Sequence, residues 1–123
     1  MPKVQIGFIS KDVANALELS HLENAPIFLG DSNIEHMQRR HFNDYVKYQL
    51  EIINIIIAPD YVGVNAKDNS IEFVKEFAID GEFVKVAVRV SQNNILYARS
   101  LYVLNKNRVN NFIEKGTLKK VKK

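Results

Sequence analysis

The chain has 123 residues, 46% of them hydrophobic, and no cysteine. This is enough apolar material for one unstapled core, and it excludes a disulfide framework, a thiolate metal cage and a cysteine nucleophile. The net charge of +3 is unevenly placed, because the segment from Lys115 holds five lysines and no acid and leaves residues 1–114 with 12 bases against 14 acids.

The expected organisation is a single domain over residues 1–116 followed by a basic tail, 117–123, solvated and frayed, with at most nonspecific polyanion affinity. The chain does not open on a basic start followed by about 7–15 apolar residues, and no run approaches ~18 apolar residues. A soluble, cytoplasmic protein without membrane contact is therefore expected.

In chain order, Ser10 before KDVANALEL reads as the N-cap of a helix that turns Val13, Ala14 and Leu17 inward and breaks at Asn24-Ala25-Pro26. His21, beyond that helix, reads as structural or merely exposed. Residues Ile27 to Gly30 form a short extended segment. Asp31 or Ser32 then caps a second helix, with Glu35 completing a capping box with Ser32. From Asn43, the residues Val46, Leu50, Ile53 and Ile57 recur at the spacing of one helical face, and Pro59 ends the run; a buried strand is the rival reading of IINIII.

After Pro59-Asp60 the period changes to two. YVGVN, SIEFVKEFAI, EFVKVAVRV and ILYARSLYVL, separated by AKDN, Asp80-Gly81 and Gln92-Asn93-Asn94, read as four strands. NKNRVNNFIEKG closes the chain as a helix with Val109, Phe112 and Ile113 on its docking side. The expected fold is α+β, with N-terminal helices packed on one face of a four-stranded antiparallel meander and a C-terminal helix beside it.

The densest chemistry lies in SNIEHMQRRHF. Helical spacing puts Ile34, Met37 and His41 on one stripe and His36 with Arg40 on another. His36 and His41 lie about 140° apart at ~100° per residue, so they face one way only if the helix ends before His41. The plain reading makes His41 a core-edge residue and His36 a surface one. The functional reading is that two imidazoles beside two arginines can hold a phosphate and move its protons near neutral pH.

On the strands, Lys85 and Arg89 share a face with Phe83 and Ala87, which an ordinary solvated sheet face also explains. Lys75 is in register with Ile71, Phe73 and Phe77, so it either snorkels at an edge or lines a cleft. Arg99 and Ser100 fall on opposite faces of a regular strand; only a bulge would bring them together. Tyr97 and Tyr102 are sized to stack on bases or to pack. HExxH, HxH and DxD metal patterns, a nucleophile elbow and a Gly-rich phosphate loop are all missing, which sets aside the corresponding hydrolases and metal-dependent classes.

Over residues 27–115 the chain resembles the phage-associated branch of the barnase/EndoU/colicin/RelE-like nucleases. That resemblance rests on Ser32, His36, Met37, Arg40 and His41 in the pattern H-[IM]-x-x-[KR]-H, on Pro59-Asp60, and on Ser100 and Tyr102 in [ST]-x-Y. Many relatives carry threonine at the position of Ser100, and the hydroxyl is kept. The resemblance implies RNA cleavage without a metal or other cofactor, the 2′-OH of the substrate acting as nucleophile and leaving 2′,3′-cyclic phosphate ends.

In that reading His36 and His41 are acid and base. Arg99 or Lys75 stabilises the phosphate charge and Ser100 orients it, while Arg40, Lys85, Arg89 and Tyr102 bind substrate. The partners implied are RNA and, by analogy alone, an antitoxin or immunity protein that restrains a toxin or mobile-element effector. The competing readings are a noncatalytic RNA-binding or phage-accessory module of the same fold, and an immunity or antitoxin protein.

Overall fold

A computed structural model describes residues 3–122. The meander is present as β3 (Tyr61–Val64), β4 (Ile71–Phe77), β5 (Glu82–Val90) and β6 (Leu96–Leu104), each antiparallel to the next. The expectation of a four-stranded antiparallel sheet behind N-terminal helices does not hold, however. Three further strands, β1 (Lys3–Phe8), β2 (Pro26–Gly30) and β7 (Leu118–Lys120), complete a seven-stranded mixed sheet of order β1-β2-β6-β5-β4-β3-β7.

The helices are interspersed among the strands. α1 (Lys11–Leu17) joins β1 to β2, α2 (Asp31–Arg40), α3 (Phe42–Tyr48) and α4 (Ile52–Ile57) lie between β2 and β3, and α5 (Lys106–Glu114) precedes β7. β2 and β7 are short and carry a weak period-two signal, whereas β1 alternates Val4, Ile6 and Phe8 with Lys3, Gln5 and Gly7 and was readable as a strand. β1 is broken by a register shift between Gln5 and Gly7, and β2 is parallel to β6 over only two residue pairs, Ile27 with Leu96 and Phe28 with Tyr97. A parallel neighbour so distant in sequence leaves no local turn signal.

Part of the expected tail belongs to the sheet, as β7; Lys123 lies outside the described residues. Leu118 pairs with Gly63, and Leu118 and Val121 are only 2% and 6% exposed. The Val121 N–H donates to the Asp60 carbonyl at 3.1 Å. A Cβ at position 63 would stand 2.3 Å from the Thr117 carbonyl oxygen, so glycine is what lets this segment close on β3. Deleting residues 117–123 is accordingly expected to cost roughly 3–6 kcal/mol from the two apolar side chains. Urea melts measure this; a truncated protein as stable as the full chain would return the segment to solvent.

The apolar face expected from Val46, Leu50, Ile53 and Ile57 is reversed, these residues being 52%, 88%, 48% and 58% exposed while Tyr45, Tyr48, Ile52, Ile55 and Ile56 are buried. The buried residues recur at i, i+3, i+7, i+10 and i+11, which is also one helical face, so the segment carries two apolar stripes side by side and spacing alone does not choose between them. A 3-10 turn over Gln49–Glu51 separates α3 from α4. The start of α2 also differs from the capping box expected at Ser32. The N-cap is Gly30, whose N–H donates to Asn33 Oδ1 at 2.8 Å.

The sheet has two unlike faces. Val84, Val86, Val88, Leu96, Ala98 and Leu101 join Met37 of α2, Val13 of α1 and the isoleucines of α4 in the main core. On the other face α5 covers only one end, where Val109 packs with Val74, Phe83, Leu104 and Leu118. The middle of that second face, around Ala87, Arg89 and Ser100, is left for the cleft described next. Among the described residues no helix is long and apolar enough to cross a membrane.

Candidate active site

The cleft exists because β6 is bulged. Ala87 pairs with Ser100 but Val88 pairs with Ala98, which leaves Arg99 as an extra residue. On either side of it the alternation is preserved: Leu96, Ala98 and Leu101 enter the core, while Tyr97 opposes Arg89 and Tyr102 opposes Lys85 on the other face. Two adjacent hollows on that face, of about 310 and 290 Å³, are both lined by His36, Arg89 and Arg99, and Ser100 lines the second. The bulge thus aims Arg99 and Ser100 into one cleft, which regular pleating would forbid.

α2 forms the opposite wall. It packs against β6, burying Met37 completely while His36 and Arg40, one turn apart, face the cleft together with Arg39. His36 is half-buried. Burial, then the charges of Arg99, Arg40, Arg39 and His41, hold its imidazole below the ordinary value of 6.5. Among the described residues, Arg39, Arg40, Arg89 and Arg99 make no ion pair with any carboxylate.

α2 ends at Arg40, so the helix does stop before the second histidine. His41 stands between α2 and α3 with φ −145° and ψ 67°, outside helical geometry. That break frees its ring to stack on Tyr102, with centroids 4.7 Å apart and planes at 28°. His41 is exposed there, close enough for its charge to act on His36. Asp44, in the first turn of α3, accepts the Val103 N–H at 3.1 Å and so holds this corner against β6.

Two expected site residues go elsewhere. Lys75 pairs with Val84 on the opposite, core-facing side of the sheet, and its Nζ donates to the Ala58 carbonyl at the end of α4 at 2.8 Å. It is a strut for that helix end, outside the cleft. Lys85 is on the cleft side but only 7% exposed, with Nζ 2.6 Å from Glu72 Oε2 and 4.7 Å from the centre of the Tyr102 ring. A lysine held this way underpins Tyr102 and is closed to a phosphate.

Pro59-Asp60 likewise lies away from the cleft. Asp60 Oδ2 accepts the Glu76 N–H at 2.8 Å, tying the start of β3 to β4.

Asn33, Asp68 and Ser70 line the cleft without having been singled out from sequence, as do Ser32 and Arg39, which belonged to the helix motif but were given no individual role. Arg39 was detectable, lying three residues beyond His36 on the same helix side. Asp68 was not, because AKDN carries only a turn signal and the fold decides that this turn hangs over the cleft. Its Oδ1 accepts from the Ser70 N–H at 2.9 Å and the Ser70 hydroxyl at 2.8 Å. Those bonds, and the charge of Arg89, hold its carboxyl below the ordinary range.

Residues 3–111 match the model of the family described as phage-Barnase-EndoU-ColicinE5/D-RelE like nuclease3. The chain belongs to that family. No curated protein and no solved structure matches it. The family match takes in every cleft residue named above and α5 up to Asn111, so this member of a nuclease family carries its histidine–arginine cleft within the shared domain. Among the described residues no group of three or more His, Cys, Asp or Glu side chains is placed to hold a metal ion.

Proposed function

We propose that the chain is an endoribonuclease that needs no metal and uses the 2′-OH of its substrate as nucleophile. The observation that carries this reading is a half-buried imidazole with a lowered pKa, facing a cleft whose four arginines form no ion pair and outnumber its one carboxylate, Asp68. Such a cleft demands an anion, and a neutral imidazole is ready to take a proton beside it.

In the reaction His36 removes the 2′-OH proton as that oxygen attacks the adjacent phosphorus. Arg99 and Arg89 stabilise the charge on the phosphorane oxygens, with Ser100 and Arg40 fixing the group. The bond to the 5′-oxygen breaks as His41 gives that oxygen a proton, leaving a 2′,3′-cyclic phosphate and a free 5′-hydroxyl. Tyr102, supported by Lys85, positions His41. On family analogy the enzyme acts as a toxin or phage-borne effector and is restrained in its producing cell by an antitoxin or immunity protein.

The test is to incubate the purified protein with total RNA in EDTA and determine the ends. Cleavage with cyclic phosphate ends is expected. RNA that is bound but left intact would favour the noncatalytic module, and cleavage only with added Mg²⁺ would overturn the mechanism.

A further inference from the structure

A third hollow, of about 400 Å³, adjoins the cleft and is lined by Lys3, Gly30, Asp31, Ser32, Asn33 and Tyr97. It shares Ser32, Asn33 and Tyr97 with the hollow that holds His36, Arg89 and Arg99, so the three hollows form one continuous groove. Tyr97 is the divider. It stands opposite Arg89 on one side and Phe28 on the other, because the short β2–β6 ladder ends there.

Its ring is held in place. Lys3 Nζ donates to the Tyr97 hydroxyl at 2.9 Å and sits 4.7 Å from the Phe28 ring centre and 5.2 Å from that of Tyr97, while the two rings lie 6.2 Å apart at 40°. Among the described residues Lys3 makes no ion pair, so its charge is uncompensated. The charged lining differs from that of the main cleft: Ser32 and Asn33 are common to both, but Asp31 and Lys3 stand here where the cleft has arginines. A carboxylate there disfavours a second buried phosphate but suits the amino and imino donors on a nucleobase edge.

We propose that this hollow is a subsite for one unpaired nucleotide flanking the scissile phosphate. The base lies on the Tyr97 ring with its edge toward Asp31, Ser32 and Asn33, and the backbone phosphate meets Lys3 at the rim. The assignment rests on the cleavage reading above for which phosphate is cut, but the binding itself does not. It makes the substrate single-stranded at this position, because a base can reach an aromatic side chain only by leaving its duplex stack.

The probe is a fluorescein-labelled single-stranded 2′-deoxyoligonucleotide of about 12 nucleotides, within the usual span of a stacking groove and lacking the 2′-OH needed for cleavage. Anisotropy titrations of the full chain are expected to show Tyr97→Leu weakening binding roughly 5- to 150-fold while Tyr97→Phe keeps most of the affinity. Lys3→Gln is expected to lower the salt slope of log K by about 0.7. The same sequence annealed to its complement should bind more weakly and lose its dependence on Tyr97.

Wild-type affinity in a folded Tyr97→Leu protein, equal losses in the Leu and Phe variants, or an unchanged salt slope for Lys3→Gln would each overturn the subsite. These results are separable from the nuclease reading, since a protein that fails to cleave RNA but shows the Tyr97 and Lys3 effects refutes the reaction and keeps the subsite.

Discussion

His36→Ala is expected to lower kcat/KM for RNA at least ~10²-fold, following the usual 10²–10⁴ contribution of a positioned proton-transfer group. The pH profile gives the sharper form of this expectation. His36 must be neutral to accept the 2′-OH proton, and burial with Arg99 and its neighbours lowers its pKa. The rate of the wild-type protein should therefore hold as pH falls through 6.5 and drop only below it, and His36→Ala should abolish that acid limb. Arg99→Gln removes the largest charge acting on the imidazole and should move the limb upward while also slowing the reaction. His41→Ala, acting on the leaving group, should lower the rate by a similar factor but leave the acid limb in place. An acid limb unchanged in His36→Ala would take that residue out of the proton transfer.

Glu72→Ala is expected to be the most damaging substitution for stability, at about 3–5 kcal/mol, because it strands a buried ammonium. Glu72 and Lys85 are each 8% exposed in their side chains and 2.6 Å apart, and Asn65 Nδ2 adds a second donor to the same carboxylate oxygen at 3.3 Å. Burial pulls the Lys85 pKa down, but the hydrogen bond to Glu72, aided by Tyr102, outweighs it and the net shift is upward. The sign follows from linkage: this stability is complete below the ordinary lysine value of 10.5 and is lost as pH rises through the higher folded value. Replacing both partners with apolar residues, Glu72→Leu with Lys85→Met, should cost much less than Glu72→Ala. Urea melts of the three proteins decide it, and a loss under about 1 kcal/mol in Glu72→Ala would mean that water reaches Lys85.

The sequence was most legible where one local period ran unbroken. α1, the four meander strands and α5 with Val109 inward follow from capping residues and alternation. It was least legible where the pattern is ambiguous or interrupted: α3 and α4 carry two adjacent apolar stripes, of which the one with Tyr45, Tyr48, Ile52 and Ile55 is buried, and the bulge at Arg99 reversed the parity of β6. β7 was hidden because lysines set its composition while only Leu118 and Val121 are buried.

The candidate site divides in the same way. His36 and Arg40 on one stripe were readable from helical spacing, whereas the position of His41 depended on where the helix ends. Lys75 and Lys85 show why a lysine on a strand is ambiguous, since one caps a helix end and the other is buried against Glu72. Asp68 and the Lys3–Tyr97 contact, between residues 94 positions apart, depend on long-range pairing that no local pattern encodes.

The most direct test of 2′-OH attack is cleavage of a short RNA, first mapped for its preferred site, with a single 2′-deoxy substitution on the 5′ side of that phosphate. Removing one hydroxyl should abolish cleavage there while leaving binding and cleavage at other sites intact. Continued cleavage at the substituted position would mean that water attacks the phosphorus, and would contradict the role given to His36.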